Sequence, residues 1–178
     1  MEILGQPFLL RLCHKSRYVP RENITNSRGQ WSGERGESLF KPNTECKEGQ
    51  EAAQKLKEYQ LDGIEYHDAV PDFSNCAEES VEIDMTVNRY NNHGNFEKAS
   101  TACANKWNSE GYQGKTDWTP RDVDNYRAEH NMTWHECPDR KTCQMVPREI
   151  HDFFTHTGGV FECKKNIARD TVGGGFDD

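Results

Sequence analysis

Long apolar runs are absent from these 178 residues. None approaches the roughly 20 residues that a bilayer span requires, which excludes a membrane-spanning helix. The apolar stretch near the start, Pro7–Leu12 (PFLLRL), is too short for a signal-peptide core and lacks a cleavage pattern. Export would need another route or a larger carrier. Closely spaced cysteine pairs are lacking too. The seven cysteines, at 13, 46, 76, 103, 137, 143 and 163, form no C-x-x-C, so a zinc ribbon is excluded. An odd number spread over the whole length suits reduced thiols in a cytosol, with one or two disulfides as the alternative.

A basic excess is also missing. The net charge is −8, so no global positive field draws the chain to nucleic acid. The acid is unevenly placed: residues 45–84 hold 12 acidic and three basic side chains, whereas residues 115–169 hold nine of each. The acid is concentrated away from the second segment, so a phosphate-binding surface is permitted there. Apolar residues make up 33% and charged residues 29%, which predicts a modest core with long ordered loops. Eight Phe, six Tyr and four Trp argue against wholesale disorder.

Residues 1–50 are rich in Gly, Ser, Asn and Arg and read as an irregular arm with one or two short strands. Strong helix formers predict a helix over Gln50–Tyr59. Pro71 restricts residues 64–75 to a strand and a turn. Val81–Met85 alternates apolar and acidic side chains, as a half-buried strand does. Asn95 can cap a helix running to about Trp107, with Phe96, Ala99, Cys103 and Trp107 on one face. Thr119-Pro120-Arg121-Asp122 carries a capping residue, a proline in the first turn and an acid three places after the cap, so a second helix starts there. Its apolar side is Val123 and Tyr126, with His130.

Residues 133–159, TWHECPDRKTCQMVPREIHDFFTHTGG, place His135, His151 and His156 within 22 positions. Met132–Cys137 reads as a strand, Pro138–Thr142 as a turn and Cys143–Val146 as a second strand. A helix is expected from Pro147 until Thr157-Gly158-Gly159 ends it. The segment is thus a strand–strand–helix unit with histidines on its first strand and its helix. Cys137 and Cys143 flank the turn and would face each other across the hairpin.

This pattern resembles the ββα-metal nucleases, also called His-Asn-His or His-Me finger nucleases. It is most similar to a Trp-His branch used as toxin tips in bacterial competition. The residues that carry the resemblance are Trp134-His135-Glu136, Met145-Val146-Pro147, Ile150-His151 and His156-Thr157-Gly158-Gly159, about 25 residues in all. Pro71–Ser74 and Trp31–Ser38 are similar to segments that precede the motif in such toxins.

The resemblance implies an α+β fold, with an irregular α/β N-terminal part packed on a C-terminal ββα-metal hairpin-helix motif. It implies one nuclease domain over 1–178. Residues 1–114 form its scaffold, 115–169 its helix and catalytic motif, and 170–178 a flexible tail. It also implies one divalent ion, Zn²⁺, Ni²⁺, Mn²⁺ or Mg²⁺, held by His151 and His156. His135 is read as the base. Glu136 stands where the branch usually has a second histidine; it either completes the ligand set or is itself the base, with His135 on the metal. Adjacent strand residues point to opposite faces, so both reach one ion only if the strand bulges or ends there. His151 and His156 lie about 140° apart on an ideal helix, so they converge only where the helix unwinds.

Arg140, Lys141 and Arg148 are candidates for holding backbone phosphates. Cys137 shares a strand face with His135 and could offer a thiolate, and Trp134 is read as the hairpin's apolar anchor. His14, His67, His93 and His130 lack a partner motif and are read as structural or solvated, and Asp72 and Asp84 as turn and strand-face residues. The implied activity is metal-dependent cleavage of DNA by a secreted or injected toxin, acting in a target-cell cytoplasm and neutralised by an immunity protein. RNA as the target, and a non-catalytic metal-binding or interaction module, are the alternatives.

Overall fold

Strand β6 (Met132–Glu136) is buried at every one of its five positions, an unusual pattern for so polar a chain. A strand buried on both faces must lie between two packed layers, and the computed structural model, which describes residues 28–172, shows which two. Cys13, His14, Pro7–Leu12 and the last six residues of the expected tail lie outside the described residues.

On one side is a four-stranded antiparallel sheet in the order β1 (Gly29–Trp31), β2 (Leu39–Pro42), β3 (Ile64–His67), β4 (Val70–Pro71). Helix α1 (Lys47–Glu58) is inserted between β2 and β3. It starts three residues before the expected Gln50 and turns Ala52 and Leu56, one helical turn apart, into the core. Pro71, which has no N–H to donate, sits on the edge strand β4.

The second sheet has the order β5 (Glu79–Glu82), β7 (Thr142–Pro147), β6, all antiparallel. The hairpin is thus extended by a strand from the acidic stretch. That strand begins two residues earlier than the alternation suggested, with Val81 opposite Cys143. Two helices cover one face of this sheet, α2 (Asn95–Glu110) and α3 (Pro120–Glu129). Helix α3 begins as the sequence predicts, with a reciprocal capping box between Thr119 and Asp122. Val81, Met132, Trp134, Cys143 and Met145 face these helices and pack on Ala99, Cys103, Trp107 and Val123. Trp134 is the anchor of the face, and its Nε1 donates to Ser100 Oγ at 3.1 Å. The opposite face carries Val146, which joins Phe40, Leu56, Phe73, Ile150 and Phe154 in a second core.

Three expectations need correction. Asn95 does not cap α2; Gly94 does, and Asn95 is the first helical residue. Its side-chain amide is used elsewhere, accepting from Thr86 N and donating to Thr86 O and to Glu136. The helix after β7, α4 (Arg148–Phe153), stops before His156. The Gly158-Gly159 pair does not end it, because Gly159 opens a new helix, α5 (Gly159–Val172), which also makes the start of the expected tail helical. A Cβ at Gly158 would lie 2.9 Å from the Glu136 carbonyl oxygen, and one at Gly159 would collide with Met85 Sδ and the Cys137 carbonyl. Only glycine lets the chain pass so close to the end of β6. Finally, Cys143 opposes Glu136 in the hairpin rather than Cys137, and both cysteines are free thiols. No helix among the described residues is long and apolar enough to cross a membrane.

Candidate functional site

Period-two alternation on β6 sends His135 and Glu136 to opposite faces, and each is buried there. His135 points away from α2 and α3. It meets His151, presented by α4, and His156, carried in the extended segment between α4 and α5. Because α4 ends at Phe153, the two latter histidines escape the angular separation that one continuous helix would impose. The close pass at Gly158 brings His156 back against the end of β6. Ring centroids are 4.6 Å apart for His135–His156, 5.6 Å for His135–His151 and 5.1 Å for His151–His156. One nitrogen from each ring lies within 4.8 Å of the others.

Phe73 forms the floor of the cluster, with its ring 4.9, 6.0 and 5.6 Å from His135, His151 and His156 respectively. This apolar cover keeps water away and disfavours the imidazolium form. Burial pushes His135 well below the ordinary histidine range, with His156 and His151 adding to the effect. Burial likewise takes His156 down to about 4, against the opposing Phe154 carbonyl. His151 is lowered by burial, with Asp152 acting in the opposite direction. All three are therefore neutral near pH 7, which is the ligand form of imidazole.

Their second nitrogens are arranged differently. His156 Nδ1 lies 2.8 Å from the Phe154 carbonyl and His151 Nδ1 3.1 Å from Asp152 Oδ1, so each carries its proton there and leaves Nε2 with a free lone pair. His135 Nδ1 is buried without a hydrogen-bond partner among the described residues. Three neutral imidazoles in this spacing, one with an unsatisfied buried nitrogen, fit a single divalent ion.

Glu136 takes no part in that cluster. Arg89 Nε donates to its Oε2 at 2.6 Å and Asn95 Nδ2 to its Oε1 at 2.7 Å. Its carboxylate lies outside the three-histidine group that the sequence reading allowed it to complete, and it still borders the cleft described below. Its work is to hold Arg89. Burial opposes the guanidinium charge, but the Glu136 carboxylate outweighs it and pushes Arg89 up.

Arg89, Tyr90, Glu136, Arg148, His151 and His156 border one open cleft of about 350 Å³. Of the basic side chains expected to meet phosphate, Arg148 lines this cleft. Arg140 and Lys141 sit in the β6–β7 turn away from it, with Lys141 paired to Glu82 at 2.9 Å. Cys137 is not in the cluster, and burial pushes its thiol up to about 12, so it carries no thiolate. His67, His93 and His130 are exposed.

Sequence reasoning missed Arg89, Asn95 and Phe73. A signal for the first existed: a carboxylate adjacent to an inward-facing histidine must face the other layer, and a buried carboxylate needs a cation. The segment that reaches it, TVNRYNNHGN, offers one arginine.

A family model described as the DNase/tRNase domain of colicin-like bacteriocin matches residues 63–158. The match runs from the start of β3 through the cleft to the close pass at Gly158. No curated protein and no solved structure matches the chain.

Proposed function

Since the chain belongs to the family of DNase/tRNase domains of colicin-like bacteriocins, we propose that it is a divalent-metal-dependent endonuclease that hydrolyses phosphodiester bonds of DNA. The site is of the ββα-metal kind, in its Trp-His variant, with β6, β7 and α4 as its core. The observation that supports this most is the convergence of His135, His151 and His156 beside a cleft bordered by two arginines.

In this reading His151 and His156 hold the ion through Nε2, because each already commits Nδ1–H to an acceptor. The bound ion supplies Lewis-acid polarisation of the phosphodiester and stabilises the charge on the leaving oxygen. His135, neutral and packed against both His151 and His156, is the base that accepts the proton of the attacking water as the water oxygen bonds to phosphorus. The ester P–O bond opposite breaks, the departing alkoxide takes up a proton from solvent water, and His135 returns its proton to solvent. Arg89, aimed by Glu136, and Arg148 bind the non-bridging phosphate oxygens and hold the diester in line. Phe73 keeps bulk water off the histidine face. Arg140 and Lys141 are left without a part in the chemistry.

The purified protein is expected to nick plasmid DNA with at least one of Mg²⁺, Mn²⁺, Ni²⁺ or Zn²⁺ and to stop in excess EDTA. Full activity in EDTA, or none with any of these ions, would sink the metal-nuclease reading. Purified RNA assayed in parallel decides between the two targets named in the family description, and faster cleavage of RNA would reassign the substrate.

We further propose that the chain is an antibacterial toxin, delivered into a target-cell cytoplasm and neutralised in its producer by an immunity protein. A nuclease competent in the cytosol would cut the producer's own chromosome. The acidic surface of residues 45–84, remote in charge from the neutral catalytic segment, offers such a partner an electrostatic handle. Inducible expression in a bacterium should arrest growth and degrade the nucleoid, and co-expression of the neighbouring reading frame should restore growth. A harmless wild-type chain would remove the toxin role even if cleavage is seen in vitro.

A further inference from the structure

Tyr90 is 75% exposed, the most exposed of the large apolar side chains among the described residues, and it stands at the mouth of the cleft. One exposed aromatic ring is ordinary on a protein surface; its place at the mouth of the cleft is what singles Tyr90 out. Its ring packs on Phe96, which also borders the cleft, at a centroid distance of 5.1 Å and an interplanar angle of 70°. The Arg89 guanidinium carbon lies 5.8 Å from the Tyr90 centroid and 5.9 Å from that of Phe96. The phenol ring thus projects beside the cation that Glu136 holds in the cleft.

The loop that carries Tyr90 is fixed. Asn91 N donates to Asn88 Oδ1 at 3.1 Å, Asn95 N to Asn88 O at 2.8 Å and Phe96 N to Arg89 O at 3.2 Å. Asn95 ties the start of the loop at Thr86 to Glu136 beneath the cleft. The main chain that carries the ring is therefore held in place before any ligand arrives, which limits the ordering a ligand must impose.

Building on the endonuclease reading, we propose that Tyr90, backed by Phe96, is a stacking platform for one nucleobase next to the phosphate gripped by Arg89. A planar, uncharged π-face beside a guanidinium matches the alternation of base and phosphate along a strand. In a duplex both faces of each internal base are covered by its neighbours, so the platform serves an unpaired or locally opened base. The preferred substrate is then single-stranded, or duplex that is already distorted. Every base has a π-face, so the subsite gives strand-state selectivity and little base preference.

Binding in excess EDTA tests this without cleavage, and so independently of whether the chain proves to be a nuclease. Fluorescence anisotropy would compare a labelled single-stranded 12-mer, the same backbone made abasic, and the matching duplex. The wild type should bind the single strand about tenfold to a hundredfold more tightly than the abasic strand, and more tightly than the duplex at equal salt. Tyr90→Ala should erase the gap by weakening only the base-bearing strand, while Tyr90→Trp should keep it. Thermal melts of both variants control for folding. Equal affinity of the wild type for base-bearing and abasic strands, or a gap that survives Tyr90→Ala, would overturn the platform. A duplex bound as tightly as the single strand would overturn the strand-state preference.

Discussion

Alanine at position 135 is expected to slow DNA cleavage by about 10²–10⁴-fold while the protein still takes up its ion. His151→Ala and His156→Ala should lose both. The difference follows from the second nitrogen of each ring. Acceptors at Asp152 and the Phe154 carbonyl fix the tautomers of His151 and His156 and aim their Nε2 atoms. His135 Nδ1 has no such partner among the described residues, so no hydrogen bond fixes its tautomer as a ligand. Isothermal calorimetry with the ion that supports cleavage, run beside single-turnover rates, separates binding from chemistry. If His135→Ala loses the ion as completely as His156→Ala, all three imidazoles are ligands and the base must be another group, with Glu136 the first to test.

The second large effect concerns stability. Glu136 is 1% exposed at its side chain and Arg89 41%, so the two halves of the pair are not equivalent. Arg89→Ala leaves a buried carboxylate with Asn95 as its remaining partner, and it should cost about 3–5 kcal/mol. Glu136→Gln keeps the shape and leaves a guanidinium that can turn to water, so its cost should be smaller, about 1–3 kcal/mol. Replacing both with methionine should cost less than Arg89→Ala alone, because no buried charge remains. Urea midpoints for the three variants give the order directly. Cleavage should fall in all three, since each removes the Arg89 cation or frees it from the carboxylate that holds it at the cleft. An Arg89→Ala variant as stable as the wild type would mean that Glu136 does not depend on Arg89 in solution.

Much of the second half of the chain was legible as sequence because its signals are local. The Thr119–Asp122 box forms α3 from within four residues. The alternation on either side of the 138–141 turn forms β6 and β7, and an arginine that follows Pro147 starts α4. The three histidines stood out by their crowding. The local code failed where a residue answers to a distant partner. Asn95 has the chemistry of a cap, yet its amide is claimed by Thr86 and by Glu136, 41 residues away. Gly158 and Gly159 look like a helix stop, yet they are small because the main chain of β6 lies against them.

Alone, the sequence determined the order of the elements around the candidate site and the residue types available to them, since capping, alternation and turn chemistry act over a few residues. Tertiary structure decided which of those residues share a site. It ended α4 before His156, folded the next segment against β6, and so gathered three imidazoles over Phe73. It turned Glu136 to the opposite layer and gave it Arg89. Each outcome depends on burial of β6 between two layers supplied by other parts of the chain, where an unpaired charge or a single extra carbon is too costly to keep.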